Sequence, residues 1–101
     1  MGLAVALENE RGEQLDSVTD PKNHLHRLLG PHQGDGSLLG QIDWYGDTTF
    51  NRVQMPLFLS AWRELAQRAE SPEETQLVDD IRALAERCED GVHLYLKFIG
   101  D

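Results

Sequence analysis

Bulky side chains lie on both faces of the last segment of the chain, and this pattern restricts the choice of fold. Residues 92–99 alternate between an apolar set and a second bulky set, namely Val92, Leu94, Leu96 and Phe98 against His93, Tyr95, Lys97 and Ile99. An alternation of period two predicts a β-strand. Because both sets are bulky, we expect a central strand covered on at least part of each face. Such a strand needs neighbouring strands from elsewhere in the chain.

The beginning of the chain offers two such strands. In the first, apolar side chains alternate with small or polar ones, at Leu3, Val5 and Leu7. The polar segment that follows contains Asn9 and Gly12, which tolerate positive φ, so we predict a hairpin with a returning strand over about residues 14–19. Leu15 and Val18 in that strand are out of phase by one residue, which indicates a β-bulge or an edge strand.

Apolar periodicity and capping signals predict two helices before residue 70. The first is predicted to start with Asp20 as its cap and Pro21 as its first residue, to end at Gly30 and to bury three leucines, Leu25, Leu28 and Leu29. The second has Pro56 in its first turn and an apolar stripe made of Phe58, Trp62, Leu65 and Ala69. Because Leu57 and Leu59 flank this stripe, we expect its first turn to be buried nearly all round.

A third helix is predicted to begin at Ser71, only a residue or two after the second ends. Ser71 is the expected cap, Pro72 the first helical residue, and Glu74 the residue that reaches back in a capping box. Its apolar seam is formed by Leu77, Ile81, Leu84 and Cys88. The short link predicts that the second and third helices pack as a helical hairpin.

These elements predict an α+β fold, with a small mixed or antiparallel sheet covered on one side by three helices. The sheet is expected to contain the N-terminal hairpin and the C-terminal strand. A short middle strand near residues 41–45, followed by a turn at Gly46 and Asp47, is a further expectation. The chain has 101 residues, a length typical of one domain, so residues 1–101 are predicted to form a single α+β domain.

The net charge and the composition argue against some kinds of binding partner and indicate the cellular compartment. Eighteen acidic residues against nine basic ones give a net charge of −9, which opposes general binding to nucleic acid or to anionic membranes. No apolar run is long enough for a membrane span, and the first residues lack the pattern of a secretory signal. We therefore expect a soluble, cytoplasmic protein. The single cysteine, Cys88, allows no internal disulfide, and its place on the apolar seam predicts a buried, unreactive thiol with a raised pKa.

Histidines and aspartates in the first half of the chain raise the alternative of a metal site. The candidate ligands are His24, His26, His32, Asp35, Asp43 and Asp47. On a helix, His24 and His26 lie ~200° apart and cannot share one ion. The aspartates lie beside glycines, which is also typical of turns. We therefore predict no metal and no cofactor, and keep a small metal-dependent enzyme or metal-binding protein as the alternative.

The favoured interpretation is a non-catalytic protein that binds another protein. Residues 70–90 hold eight acidic residues and two arginines, a net charge of −6, and the helical wheel places Asp79, Glu86 and Asp90 opposite the apolar seam. Trp44 and Tyr45 border a glycine turn, so one ring is expected to point outward as a contact residue.

The partner is expected to be a protein, and a basic one would be attracted by this charge. An immunity or antitoxin-like partner of a basic toxin is the most concrete form of this interpretation. Seven arginines against two lysines are typical of a GC-rich bacterial genome. A homodimer formed through the hairpin or the last strand is a further possibility.

Overall fold

The computed structural model describes residues 3–100. Within them lie four strands, β1 (Ala4–Asn9), β2 (Gln14–Thr19), β3 (Asp47–Asn51) and β4 (Leu94–Ile99), and three α-helices, α1 (His24–Leu29), α2 (Met55–Ala66) and α3 (Pro72–Asp90). The strands form one antiparallel sheet in the order β2-β1-β4-β3. The helices cover one of its faces, so the predicted α+β fold is confirmed.

Strand β4 lies inside the sheet, between β1 and β3. Its residue Leu96 is opposite Leu7 on one side and opposite Phe50 on the other, and all three side chains are buried beneath the helices. The prediction of a central C-terminal strand is therefore confirmed. Because both edges of β4 are occupied, this strand has no free edge for pairing with a second copy of the chain. Strand β2 of the hairpin is an edge strand, and a homodimer stays a prediction.

The N-terminal hairpin forms, and β2 shows both of the alternatives predicted for it, a bulge and an edge position. Leu7 pairs with Asp16 and Glu8 with Gln14, so the register shifts there and Leu15 is the extra residue of β2. Strand β2 is also an edge strand. The bulge explains why the apolar residues of β2 do not alternate regularly, because one extra residue exchanges the two faces of a strand.

Helix α1 begins later than its capping signals predict. Asp20 is buried, and its two carboxylate oxygens accept hydrogen bonds from the amides of His24 and Leu25 at 2.9 and 2.7 Å. Pro21 therefore lies in a turn before the helix, and Asn23, with a φ of 61°, directly precedes the first helical residue. The aspartate does satisfy free amides of the first turn, but it does so from four and five residues away. The three leucines are buried as predicted.

The middle strand is Asp47–Asn51, and the prediction of a strand near residues 41–45 is wrong. The chain turns between residues 43 and 46, where Asp43 accepts a hydrogen bond from the amide of Tyr45 at 2.9 Å. A local side-chain acceptor of this kind competes with strand pairing. The strand starts only after the turn, and it places Phe50 in the core opposite Leu96.

Helices α2 and α3 pack against each other over an aromatic core. Phe58 and Trp62 are stacked with ring centroids 5.3 Å apart, and both rings contact Phe98 of β4. The indole nitrogen of Trp62 donates to the carbonyl of Val78 in α3 at 3.0 Å, so this buried polar group has a partner. Within residues 3–100, no helix is both long enough and apolar enough to cross a membrane.

Two details of these helices differ from the expectations. Leu57 is 64% exposed, so the first turn of α2 is not buried all round. The link from α2 to α3 covers residues 67–71 and not one or two residues, because the helix unwinds through turns at Gln67, Arg68 and Ala69. The helical hairpin nevertheless forms, and the whole seam of α3 from Leu77 to Cys88 is buried.

Candidate functional site

The exposed carboxylates of α3 lie on two of its sides. Asp79, Glu86 and Asp90 are on the side opposite the buried seam, as predicted, and this side is here called the outer face. Arg82 lies among them and pairs with Asp79 at 3.3 Å and with Glu86 at 3.4 Å. The predicted i+3 and i+4 ion pairs therefore form, and among residues 3–100 Asp90 is the outer-face carboxylate with no ion pair.

The second side of α3 borders a cleft. Residues 19–24, which connect β2 to α1, form one wall, and the first turns of α3 form the other. The cleft has a volume of about 450 Å³ and is lined by three apolar residues, Pro21, Pro72 and Leu77. Its carboxylates on α3 are Glu73 and Asp80. The sequence did not predict this cleft, because Pro21, which lines it, was expected to be the first residue of a helix.

The two carboxylates that α3 contributes to the cleft differ in their partners. Glu73 accepts a hydrogen bond from the ammonium of Lys22 at 2.7 Å across the cleft. This bond and its charge attraction lower the pKa of Glu73 and raise that of Lys22. Asp80 accepts a hydrogen bond from the side-chain amide of Gln76 at 2.8 Å, and no basic side chain within residues 3–100 pairs with it. Asp80 therefore remains open to a cation from outside.

A buried carboxylate links α1 to the start of α3. Glu74 is 5% exposed and accepts two hydrogen bonds from the guanidinium of Arg27 and one from the amide of Glu70. These bonds lower its pKa from 4.5 to about 2, with the Arg27 hydrogen bonds as the largest cause. The predicted capping box is half right. Ser71 accepts from the amide of Glu74, but the carboxylate reaches Arg27 and Glu70 and not the amide of Ser71.

His24 connects this buried carboxylate to the cleft. Its Nδ1 lies 3.2 Å from Oε2 of Glu74, and the residue also lines the cleft. An ionised carboxylate only accepts hydrogen bonds, so Nδ1 carries the proton in this pair. The other ring nitrogen, Nε2, is buried and has no hydrogen-bond partner within the described residues.

The two adjacent aromatic candidates have separate environments. Tyr45 is 83% exposed. Trp44 packs on the core, and its ring lies 4.6 Å from that of His26. The expectation that one ring of the pair points outward is confirmed, and the outward ring is that of Tyr45.

Of the six candidate metal ligands, the structure pairs His32 with Asp35 at 3.1 Å. The other four contact different groups: His24 contacts Glu74, His26 Trp44, Asp43 the backbone amide of Tyr45, and Asp47 Lys97. From Leu3 to Gly100 there is no group of three His, Cys, Asp or Glu side chains that could hold a metal ion. The pKa of Asp35 is lowered chiefly by hydrogen bonds from Ser37, which closes a local turn.

Cys88 is a buried thiol. Its side chain has no exposed surface, and burial raises its pKa to about 11. The predicted burial and raised pKa are both confirmed. The predicted low reactivity remains to be measured.

No family model, curated protein or solved structure matches this chain. The charge of α3 and the shape of the adjacent cleft are therefore the observations that bear on function.

Proposed function

We propose that this protein acts by binding a basic protein partner through the acidic surface of α3. The observation that carries the proposal is the position of Asp79, Glu86 and Asp90 on the exposed side of one long helix. Residues 70–90 contribute −6 of the net charge of −9. With Arg82 among the three carboxylates, the outer face has a net charge of 1 − 3 = −2. An excess of one sign on one surface speeds the approach of a partner with the opposite charge.

The packing of α3 supports this role. Asp79 and Asp90 are separated by ~16 Å along the helix axis. The other side of the helix is fixed in the core by Leu77, Ile81 and Leu84. The carboxylates therefore keep nearly constant backbone positions, and a partner does not have to order the backbone that carries them before it binds.

The most concrete form of the proposal is a cytoplasmic bacterial protein that neutralises a basic toxin, as an immunity protein or antitoxin does. A compact, acidic, single-chain binder suits this role because it can cover a basic active surface without chemistry of its own. Co-expression provides a direct check. The protein is expected to restore growth to cells that express a toxin encoded by a neighbouring gene, and failure against all such products would exclude this form.

The general proposal is tested by the kinetics of a captured partner. Proteins that bind to this protein, immobilised on a resin, are isolated from an extract of the source cells. The rates at which they associate with it are then measured at roughly 20 mM and roughly 500 mM salt. The expected partner is basic, and its association rate is expected to fall about tenfold or more at high salt. A rate that does not depend on salt, or the absence of any basic protein that binds, would contradict the proposal.

Two triple variants test whether the charges of the outer face of α3 control the association rate. Asp79→Asn, Glu86→Gln and Asp90→Asn together remove three charges from the outer face and are expected to slow association several-fold at low salt.

The control removes three exposed carboxylates elsewhere, Glu10→Gln, Glu13→Gln and Glu64→Gln, and leaves the same net charge. Its association rate is expected to stay within about twofold of the wild type. Equal slowing of both variants would show that net charge, and not the face of α3, controls association.

A further inference from the structure

The cleft beside α3 combines apolar walls with uncompensated acidic charge. Among its charged lining residues, Asp20, Glu73 and Asp80 are acidic and Lys22 is basic, so with His24 neutral its formal charge is 1 − 3 = −2. Both oxygens of Asp20 accept backbone amides, and Glu73 is paired with Lys22. Asp80 differs from these two carboxylates, because within residues 3–100 neither a backbone amide nor a basic side chain donates a hydrogen bond to it.

We propose that this cleft holds an arginine side chain of the basic partner. The inference rests on the proposed function and specifies which residue type of the partner enters the surface, and where. The aliphatic part of the arginine would contact Pro21 and Pro72, and its guanidinium would bind the carboxylate of Asp80. The occupant is a side chain of a protein, and a free amine or a metal ion would not use the apolar walls.

Arginine fits this environment better than lysine. Its guanidinium is planar and can donate two parallel hydrogen bonds to one carboxylate, whereas the ammonium of lysine is a compact and strongly hydrated charge. The guanidinium is therefore less costly to bring out of water beside an apolar wall. The open cleft has a volume of about 450 Å³, which is large enough for a long side chain.

His24 also lines this cleft, and its Nδ1 hydrogen-bonds to Glu74. Its Nε2 is buried and has no partner within residues 3–100, so it is not accessible to a ligand in the cleft. The carboxylate of Asp80 is therefore the group that the guanidinium would bind.

The experiment uses N-acetyl-arginine-N-methylamide as the probe, titrated into the whole protein and followed by two-dimensional NMR of backbone amides. We expect saturable shifts at Thr19, Lys22, Gln76 and Asp80, with a dissociation constant of about 10 mM or tighter. The lysine analogue is expected to bind about threefold more weakly. The neutral citrulline analogue, which has nearly the shape of arginine, is expected to bind about tenfold more weakly.

Two single variants distinguish binding of the probe in the cleft from a general effect of the net charge. Asp80→Asn is expected to weaken binding of the arginine probe about fivefold or more, while Glu64→Gln, which removes the same charge from the exposed side of α2, is expected to leave binding within about twofold. Both positions are exposed, so both variants are expected to fold. Equal binding of citrulline and arginine, shifts outside the cleft, or no saturation by roughly 50 mM would overturn the proposal.

The same variant distinguishes this inference from the proposed function. With the basic partner, Asp80→Asn is expected to raise the dissociation rate about fivefold, because a direct contact is lost. If the outer-face triple variant slows association and Asp80→Asn leaves dissociation unchanged, the partner binds α3 without using the cleft. If neither variant has an effect, both proposals fail.

Discussion

Replacing Glu74 with glutamine removes the charge of the most deeply buried carboxylate of α3 and nearly preserves its shape. The carboxylate accepts from Nε and Nη2 of Arg27 and from the amide of Glu70 at 2.9 Å, and its side chain is 7% exposed. Arg27 itself is 44% exposed, so water can still solvate its charge in the variant. The variant therefore loses the favourable interactions of the carboxylate without leaving a fully buried cation.

The pKa of Glu74 gives the magnitude and the pH range of the effect. Its fall from 4.5 to about 2 corresponds to ~3 kcal/mol of unfolding free energy when the group is ionised in both states. Because the folded-state pKa is lowered, this contribution is complete above about pH 4.5 and is lost as the pH falls towards 2. We expect Glu74→Gln to reduce the unfolding free energy by about 2–3 kcal/mol at pH 7, by about half as much at pH 3, and by less than ~0.5 kcal/mol at pH 2.

Urea denaturation followed by tryptophan fluorescence measures this difference, since Trp62 is completely buried in the folded protein. Glu86→Gln is the matched control, because it removes the same charge from the same helix at a site that is 52% exposed and paired with Arg82. The control is expected to change the unfolding free energy by at most ~0.5 kcal/mol. A Glu74→Gln effect as small as that of the control, or one that persists unchanged at pH 2, would refute the reasoning.

Two further predictions concern Gly100 and Cys88. A Cβ on Gly100 would lie 2.5 Å from the carbonyl oxygen of Gly46, so Gly100→Ala is expected to lower the unfolding free energy by about 2 kcal/mol, as measured in urea. Gly30→Ala meets nothing within 4 Å and is expected to be neutral, and equal effects would contradict the steric argument. Burial raises the pKa of Cys88 from 9.0 to about 11, and its side chain has no exposed surface. Iodoacetamide at pH 8 is therefore expected to alkylate the folded protein at least ~100-fold more slowly than the unfolded chain. Equal rates would show that the thiol is accessible.

The fold was largely predictable from local patterns. The alternation in residues 92–99 indicated the central strand, and the phase change between Leu15 and Val18 indicated the bulge in β2. The capping signal at Ser71 and the seam of α3 were equally direct. These predictions succeeded because periodic burial and helix capping depend on residues close together in the chain.

The middle of the chain was harder to predict for a physical reason. The backbone near Gly46 is held by Gly100, whose amide donates to the carbonyl of Gly46 at 2.7 Å across 54 positions of sequence. The predicted start of α1 is wrong for a similar reason, because Asp20 and Pro21 also favour a turn. Where short motifs are compatible with two structures, long-range packing selects one of them.

The candidate site also combines features that the sequence predicts with features that only tertiary packing determines. The helical period alone placed Asp79, Glu86 and Asp90 on one side of α3, and their exposure followed from the buried seam opposite. The cleft exists only in the folded protein, because its two walls come from segments about 50 residues apart in the sequence. The partner of Glu74 was decided in the same way: Arg27 is 47 positions away, and only the packing of α1 against α3 brings the two charges together. Periodicity determines which side of an element faces the core, whereas a contact between distant side chains exists only after the elements have packed.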